Sequence, residues 1–227
     1  PYSGAIGELL ESVSIPGDDI LTVNVWAPEN ATNAPVAVWI YGGAFERGAS
    51  ALRTYDGTTF ARDGIVFVSF NYRVGVEGFS VLDGAPLNLG LADAALALTW
   101  VQREIAAFGG DPARITLMGE SAGGSLVAAL LARPEVQVAA AIVQSCPLEA
   151  FTPAKAARPT TAIAKKLGIP ATREAFLQQS PEELLRVRGE IARGSSPLSG
   201  APGFGIATDG EVLPVSPHIA LPTVDIP

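Results

Sequence analysis

The stretch Gly119-Glu120-Ser121-Ala122-Gly123 lies between an apolar run at residues 115–118 and a segment of helical composition at residues 122–131. That placement constrains the chain more than any other feature. A serine on a tight turn joining a buried strand directly to a helix must take a strained backbone conformation. Side chains at the flanking positions would crowd the turn, which accounts for glycine at 119 and 123. The turn lifts the Ser121 hydroxyl above the sheet edge and sets it at a helix N-terminus, where the dipole favours developing negative charge. The bare pattern recurs by chance. Between a strand and a helix it reads as a nucleophile elbow rather than as a small-residue helix start.

The rest of the chain supplies a sheet for that elbow to stand on. Residues 21–27 alternate apolar and polar, as a half-buried strand does. Residues 36–41, 65–70, 115–118 and 139–143 are short, nearly continuous apolar runs, which suit strands covered on both faces. Between them, Leu91, Ala94, Ala95, Leu98, Val101 and Ile105 recur at helical spacing, with Asn88 as a cap and Gly109-Gly110 as the stop. Residues 122–131 form a second helix, ended before Pro134. Residues 153–167, closed by Gly168, and 181–192 form two more, the latter opened by Ser180, Pro181 and Glu183 as a capping box. Strands alternating with helices give an α/β chain with a doubly wound, mostly parallel sheet. Residues 194–227 change character: rich in Pro, Gly and Ser, without a sustained period, they read as a long loop.

Composition removes whole classes of function. A chain of 227 residues that is 48% hydrophobic can bury a substantial core, which excludes a disordered segment. A formal charge of -8 argues against a nucleic-acid partner. No apolar run reaches the roughly 18–20 residues that span a bilayer, and no signal peptide is visible, so no membrane partner is expected. A lone cysteine, Cys146, permits no intrachain disulfide and fits a reducing compartment. With a single histidine, His218, a zinc site lacks ligands, and neither metal nor organic cofactor is expected.

A second glycine-rich stretch, Gly42-Gly43-Ala44-Phe45, follows the strand at 36–41. A loop placed there can turn backbone N–H groups towards the serine and, with the Ala122 amide, form an oxyanion hole. An ordinary glycine turn gives the same letters, and the pairing with the elbow favours the first reading. Six stretches in fixed order then complete a pattern: DILTVNVW at 19–26, VWIYGGAF at 38–45, NYRVG at 71–75, NLGLAD at 88–93, AFGGDP at 107–112 and GESAGG at 119–124. A looser likeness continues to DGEVLP at 209–214. On these motifs the chain resembles the type-B carboxylesterases, the bacterial para-nitrobenzyl esterase branch of the carboxylesterase and cholinesterase family.

The resemblance implies an α/β-hydrolase fold, incomplete in this chain, and a serine carboxylesterase acting through an acyl-enzyme on a small-molecule ester. It implies Ser121 as nucleophile and Gly42, Gly43, Ala44 and Ala122 as the oxyanion-hole stretch. Glu120 matches an acidic residue that braces the elbow. Asn71, Arg73, Asn88 and Asp93 are expected to hold loops rather than do chemistry. Phe45 and Phe79 suit either a pocket wall or the core. Three departures stand out. Ile20 occupies a position where many secreted members carry cysteine, in keeping with a cytoplasmic enzyme. Ala44 replaces a third glycine, leaving the amide but narrowing the backbone's freedom.

The third departure concerns the triad. In the family the triad acid and histidine lie far downstream of the elbow. Asp209 and Glu211 precede His218 in the order acid then histidine, but no strand separates residue 192 from His218 to deliver them. His218 is therefore expected as an exposed loop histidine. Residues 1–227 read as one partial domain, with 194–227 leading towards a C-terminal portion that supplies the acid and base and is the expected partner. An amidase or carbamate hydrolase on the same scaffold, or an inactive binding homologue, would share most of these features.

Overall fold

The structure, a computed structural model, describes Gly17, residues 19–193 and residues 202–226. Strands β1 (Val23–Trp26) and β2 (Ala34–Ile40) are followed by a short helix α1 (Thr58–Arg62), strand β3 (Val66–Phe70) and helices α2 (Gly75–Phe79) and α3 (Leu89–Glu104). Then come β4 (Gly110–Glu120), α4 (Ala122–Leu131), β5 (Ala140–Gln144), and helices α5 (Pro153–Leu167), α6 (Arg173–Leu177), α7 (Pro181–Arg193) and α8 (Pro217–Ala220). The strands form one sheet in the order β1-β3-β2-β4-β5. β1 runs antiparallel to β3, and the other neighbours pair in parallel.

The apolar runs sit in the middle of this sheet because they are covered on both faces. Val38 pairs with Val68 on one side and Leu117 on the other, and Leu117 continues to Ala141. Every residue of β3 is buried. Ile40, Leu91, Leu98, Ile105, Ile115, Leu126 and Leu130 are fully enclosed. All ten residues of α4 are buried, so it has no solvent face and must lie between the sheet and other elements.

Two boundaries differ from the sequence reading, and the stop at Gly109 holds. β4 begins at Gly110 rather than 115, because Gly110 pairs with Ala34 across a register shift that carries residues 111–114 along. Gly109 takes φ 80°, and a Cβ there would stand 2.3 Å from the Ala31 carbonyl, so only glycine can end α3's extension at this point. Asn88 precedes α3 but does not cap it. Its backbone is left-handed (φ 57°), and its side chain reaches across the fold to donate to the Ala207 carbonyl (2.7 Å) and accept from the Ala207 amide (2.9 Å).

That bond ties part of the stretch read as a long loop, 194–227, to the rest of the fold. Residues 194–201 and 227 lie outside the described residues, but 202–226 are bound into the core. The Phe151 amide donates to Ile206 and the Thr208 amide to Phe151, forming a bridge at Phe151–Ala207. Phe204, Ile206 and Leu213 are buried, and α8 and a 3-10 turn at Leu221–Thr223 follow. Among the described residues no helix is long and apolar enough to cross a membrane.

If the sheet centre carries the stability, Leu117→Ala should cost about 2–5 kcal/mol by leaving a cavity between both layers. Leu96→Ala, at a site 66% exposed, should stay within about 0.5 kcal/mol. Thermal unfolding of the two variants in the full-length protein checks the contrast.

Candidate active site

Ser121 adopts φ 56° and ψ −125°, outside the regions a non-glycine residue ordinarily occupies. Its neighbours make that conformation obligatory. The Ser121 amide donates to Gln144 on β5 (2.9 Å), and the Ser125 amide donates back to the Ser121 carbonyl (3.0 Å) to open α4. A Cβ on Gly123 would stand 2.0 Å from the Ile40 carbonyl, and one on Gly119 would meet Gly123 at 2.5 Å. The start of α4 therefore packs directly on the backbone at the end of β2. That contact brings the elbow beside the glycine-rich loop. A Cβ on Gly42 would lie 3.1 Å from the Ser121 Cβ and 2.7 Å from the Glu120 carbonyl.

The loop itself is strained. Gly43, Ala44 and Phe45 take φ of 122°, 57° and 60° in succession. For Ala44 and Phe45 the left-handed conformation costs about 1–2 kcal/mol each. It is held by the Glu46 and Arg47 amides donating to the Gly43 carbonyl and by the Gly75 amide donating to Phe45 (2.6 Å). Behind it, Tyr41 stacks on Tyr72 at 4.5 Å, and each hydroxyl donates to the other's carbonyl (3.3 and 2.7 Å). Burial pushes both phenols well above their ordinary pKa, so both stay neutral donors. Among the described residues, the Gly43 and Ala44 amides donate to no protein acceptor. The Ala122 amide opens α4, where no intrahelical acceptor exists. This arrangement offers a hydroxyl at a helix N-terminus beside unspent backbone donors.

The remaining residues expected near the site divide cleanly. Arg73 binds Asp93 through two parallel bonds (2.8 and 2.7 Å) and its amide adds a third (3.0 Å), tying the chain after β3 to α3. Asn71 accepts from the Ser50 amide (2.8 Å) and donates to Thr22 (3.1 Å). With Asn88, these four hold loops. Glu120 is exposed, its carboxylate beside Gly42, and it forms no hydrogen bond with the elbow among the described residues. Phe45 and Phe79 meet edge to face at 4.9 Å, and both are buried, which makes them core.

Cys146 lies against Gly124, but burial raises its thiol pKa, only partly offset by Ser125, and the Glu120 charge raises it further. His218 is exposed, as expected, though on α8 rather than in a loop. Its Nδ1 lies 2.8 Å from the Ser216 hydroxyl, and no hydrogen bond joins it to Ser121 or to a carboxylate among the described residues. Asp209 accepts from the Glu211 and Leu213 amides and from Asn88, so it braces a turn and does not orient His218. The tyrosine pair and an ion pair between Glu46 and Arg188, 142 positions apart, escaped the sequence reading because no local spacing signals either.

The family model of the carboxylesterases matches residues 7–225. The chain belongs to the carboxylesterase family. It is 41% identical to a cholinesterase of Mus musculus over 90% of its length, covering 36% of that protein. It is 39% identical to a para-nitrobenzyl esterase of Bacillus subtilis, again over 90% of its length, covering 44% of that protein. A solved para-nitrobenzyl esterase superposes with a TM-score of 0.82 at 37% identity, over 92% of this chain and 47% of the other. The fold is accordingly that of the α/β-hydrolases, and the chain spans less than half the length of these carboxylesterase relatives.

The close packing at the elbow generates a test. Gly42→Ala must displace the loop from Ser121 and should slow any reaction carried by Ser121 about 100-fold. Gly203→Ala, where a Cβ meets nothing within 4 Å, should leave it unchanged. The rate of covalent inactivation by a serine-directed fluorophosphonate reads both.

Proposed function

We propose that this chain carries the nucleophile and oxyanion hole of a carboxylic-ester hydrolase. One observation carries the reading: Ser121, forced into its strained turn, stands against Gly42 at the edge of a loop whose Gly43 and Ala44 amides are unspent among the described residues. The reaction begins with attack of Ser121 Oγ on the ester carbonyl carbon while a general base takes the hydroxyl proton. The tetrahedral oxyanion is held by the Gly43, Ala44 and Ala122 amides, each worth about 2.7–4 kcal/mol. Collapse breaks the bond to the alcohol, which leaves with the proton returned by the base. Water then attacks the acyl-enzyme by the same route and frees the acid.

The base and its carboxylate partner come, on this proposal, from a part of the protein outside residues 1–227. Two observations support this. His218 bonds to Ser216, and Asp209 is spent on backbone amides. Relatives of the family are more than twice as long as the matched region. Without a base, the hydroxyl remains a weak nucleophile at neutral pH, and a triad-less site keeps only about 10³- to 10⁴-fold acceleration over water.

In the full-length protein, Ser121→Ala should lower kcat on p-nitrophenyl butyrate by about 10⁴-fold or more, whereas His218→Ala should leave it at the parent level. Retained activity after Ser121→Ala would remove the serine mechanism. Loss after His218→Ala would place the base within this chain.

A further inference from the structure

The glycine-rich loop is fastened on one side by contacts from its own neighbourhood and on the other by a residue from a distant layer. Arg188, on the buried face of α7 beside Leu184 and Val187, forms an ion pair with Glu46. Glu46 directly follows the two left-handed residues Ala44 and Phe45, and its amide closes the turn onto the Gly43 carbonyl at 3.0 Å. The guanidinium lies 5.4 Å from the Phe204 ring centre, so the segment after α7 backs it as well.

As a device for stability this pair is poor. Arg188 is 9% exposed, and its Nε and Nη1 are buried without a hydrogen-bond partner among the described residues. Burying a charge is compensated only when its remaining donors are satisfied, and an apolar side chain of similar volume usually serves stability as well or better. What the pair does supply is a fixed direction. A charged carboxylate locked to a buried guanidinium gives residue 46 one position, and residues 43–45 must then meet both that anchor and the Gly75–Phe45 bond. Strained backbone persists only where its surroundings over-determine it.

We infer that Arg188 is a positioning residue of the ester-hydrolysing site, acting through Glu46 to hold the Gly43 and Ala44 amides in register with Ser121. This rests on the reading of Ser121 and the loop given under the proposed function. Arg188 does not touch the substrate. Its effect falls on the transition state, where the amides meet a developing oxyanion, and hardly on substrate binding.

The test uses the full-length protein with Arg188→Met, Arg188→Lys, Glu46→Gln and the Arg188→Met/Glu46→Gln double variant, with Ser121→Ala as the first control. Read-outs are kcat and KM on p-nitrophenyl butyrate, Ki for a trifluoromethyl ketone that forms a tetrahedral adduct, and Tm. Both Arg188→Met and Glu46→Gln should lower kcat about 10- to 100-fold, with KM nearly constant and the ketone Ki weakened by a similar factor. The double variant should be no worse than the single ones, Arg188→Lys should retain more activity than Arg188→Met, and Tm should hold or rise in Arg188→Met and the double variant but fall in Glu46→Gln, which leaves the buried guanidinium without its carboxylate. Folded variants with parental kcat, or losses that merely track a fall in Tm, overturn the inference while leaving the esterase reading intact. Should Arg188→Met fail to fold, the isosteric Glu46→Gln, assayed well below its Tm, decides the matter by kcat, KM and the ketone Ki. Parental activity that survives Ser121→Ala removes the esterase reading, and the positioning role with it.

Discussion

The contact between the Gly123 backbone and the Ile40 carbonyl is the constraint from which the site follows. No side chain fits between them, since a Cβ would stand 2.0 Å from that oxygen. α4 can therefore start only where β2 ends, and β4 must reach it through a turn of a single strained residue, Ser121. The same approach puts Gly42 against Ser121, so one close packing event assembles both the hydroxyl and the loop that faces it. The surrounding fold supplies rigidity: five paired strands, a central helix buried on all sides, and apolar residues above and below the strand ends. Strain at Ser121, Ala44 and Phe45 persists because that framework leaves no room to relax.

Much of this was legible in the sequence because it rests on short-range pattern. The apolar runs at 36–41 and 65–70 announced strands covered on both faces, and β2 and β3 occupy those places. The helices at 122–131 and 153–167 carried their own stop signals, and both ends match. The elbow was legible because its geometry demands particular residues: glycine where backbones touch, and a small residue after the serine where the helix begins.

What was not legible depends on contacts between distant positions. Asn88 looked like a helix cap because it precedes a helical pattern, yet its amide is spent on Ala207, 119 residues away. Residues 202–226 looked like open loop because their order comes from bonds to Phe151, Asn88 and Arg133 rather than from any period of their own. The five-residue helices α1, α2 and α6 are too short to show a period. The Glu46–Arg188 pair joins a loop to a helix from another layer, and no spacing rule connects them.

The central claim is that Ser121 is the atom-bearing centre of the chemistry, and the most direct measurement is where a covalent adduct forms. Full-length protein treated with diethyl p-nitrophenyl phosphate exchanges the nitrophenolate for a bond from phosphorus to the attacking oxygen. Mass analysis after digestion locates that bond. A single diethylphosphoryl group on the peptide containing Ser121, formed in step with loss of ester hydrolysis and absent in the Ser121→Ala variant, is the expected result. Inactivation with the group on any other residue, or no stable adduct in a protein that hydrolyses esters, contradicts it.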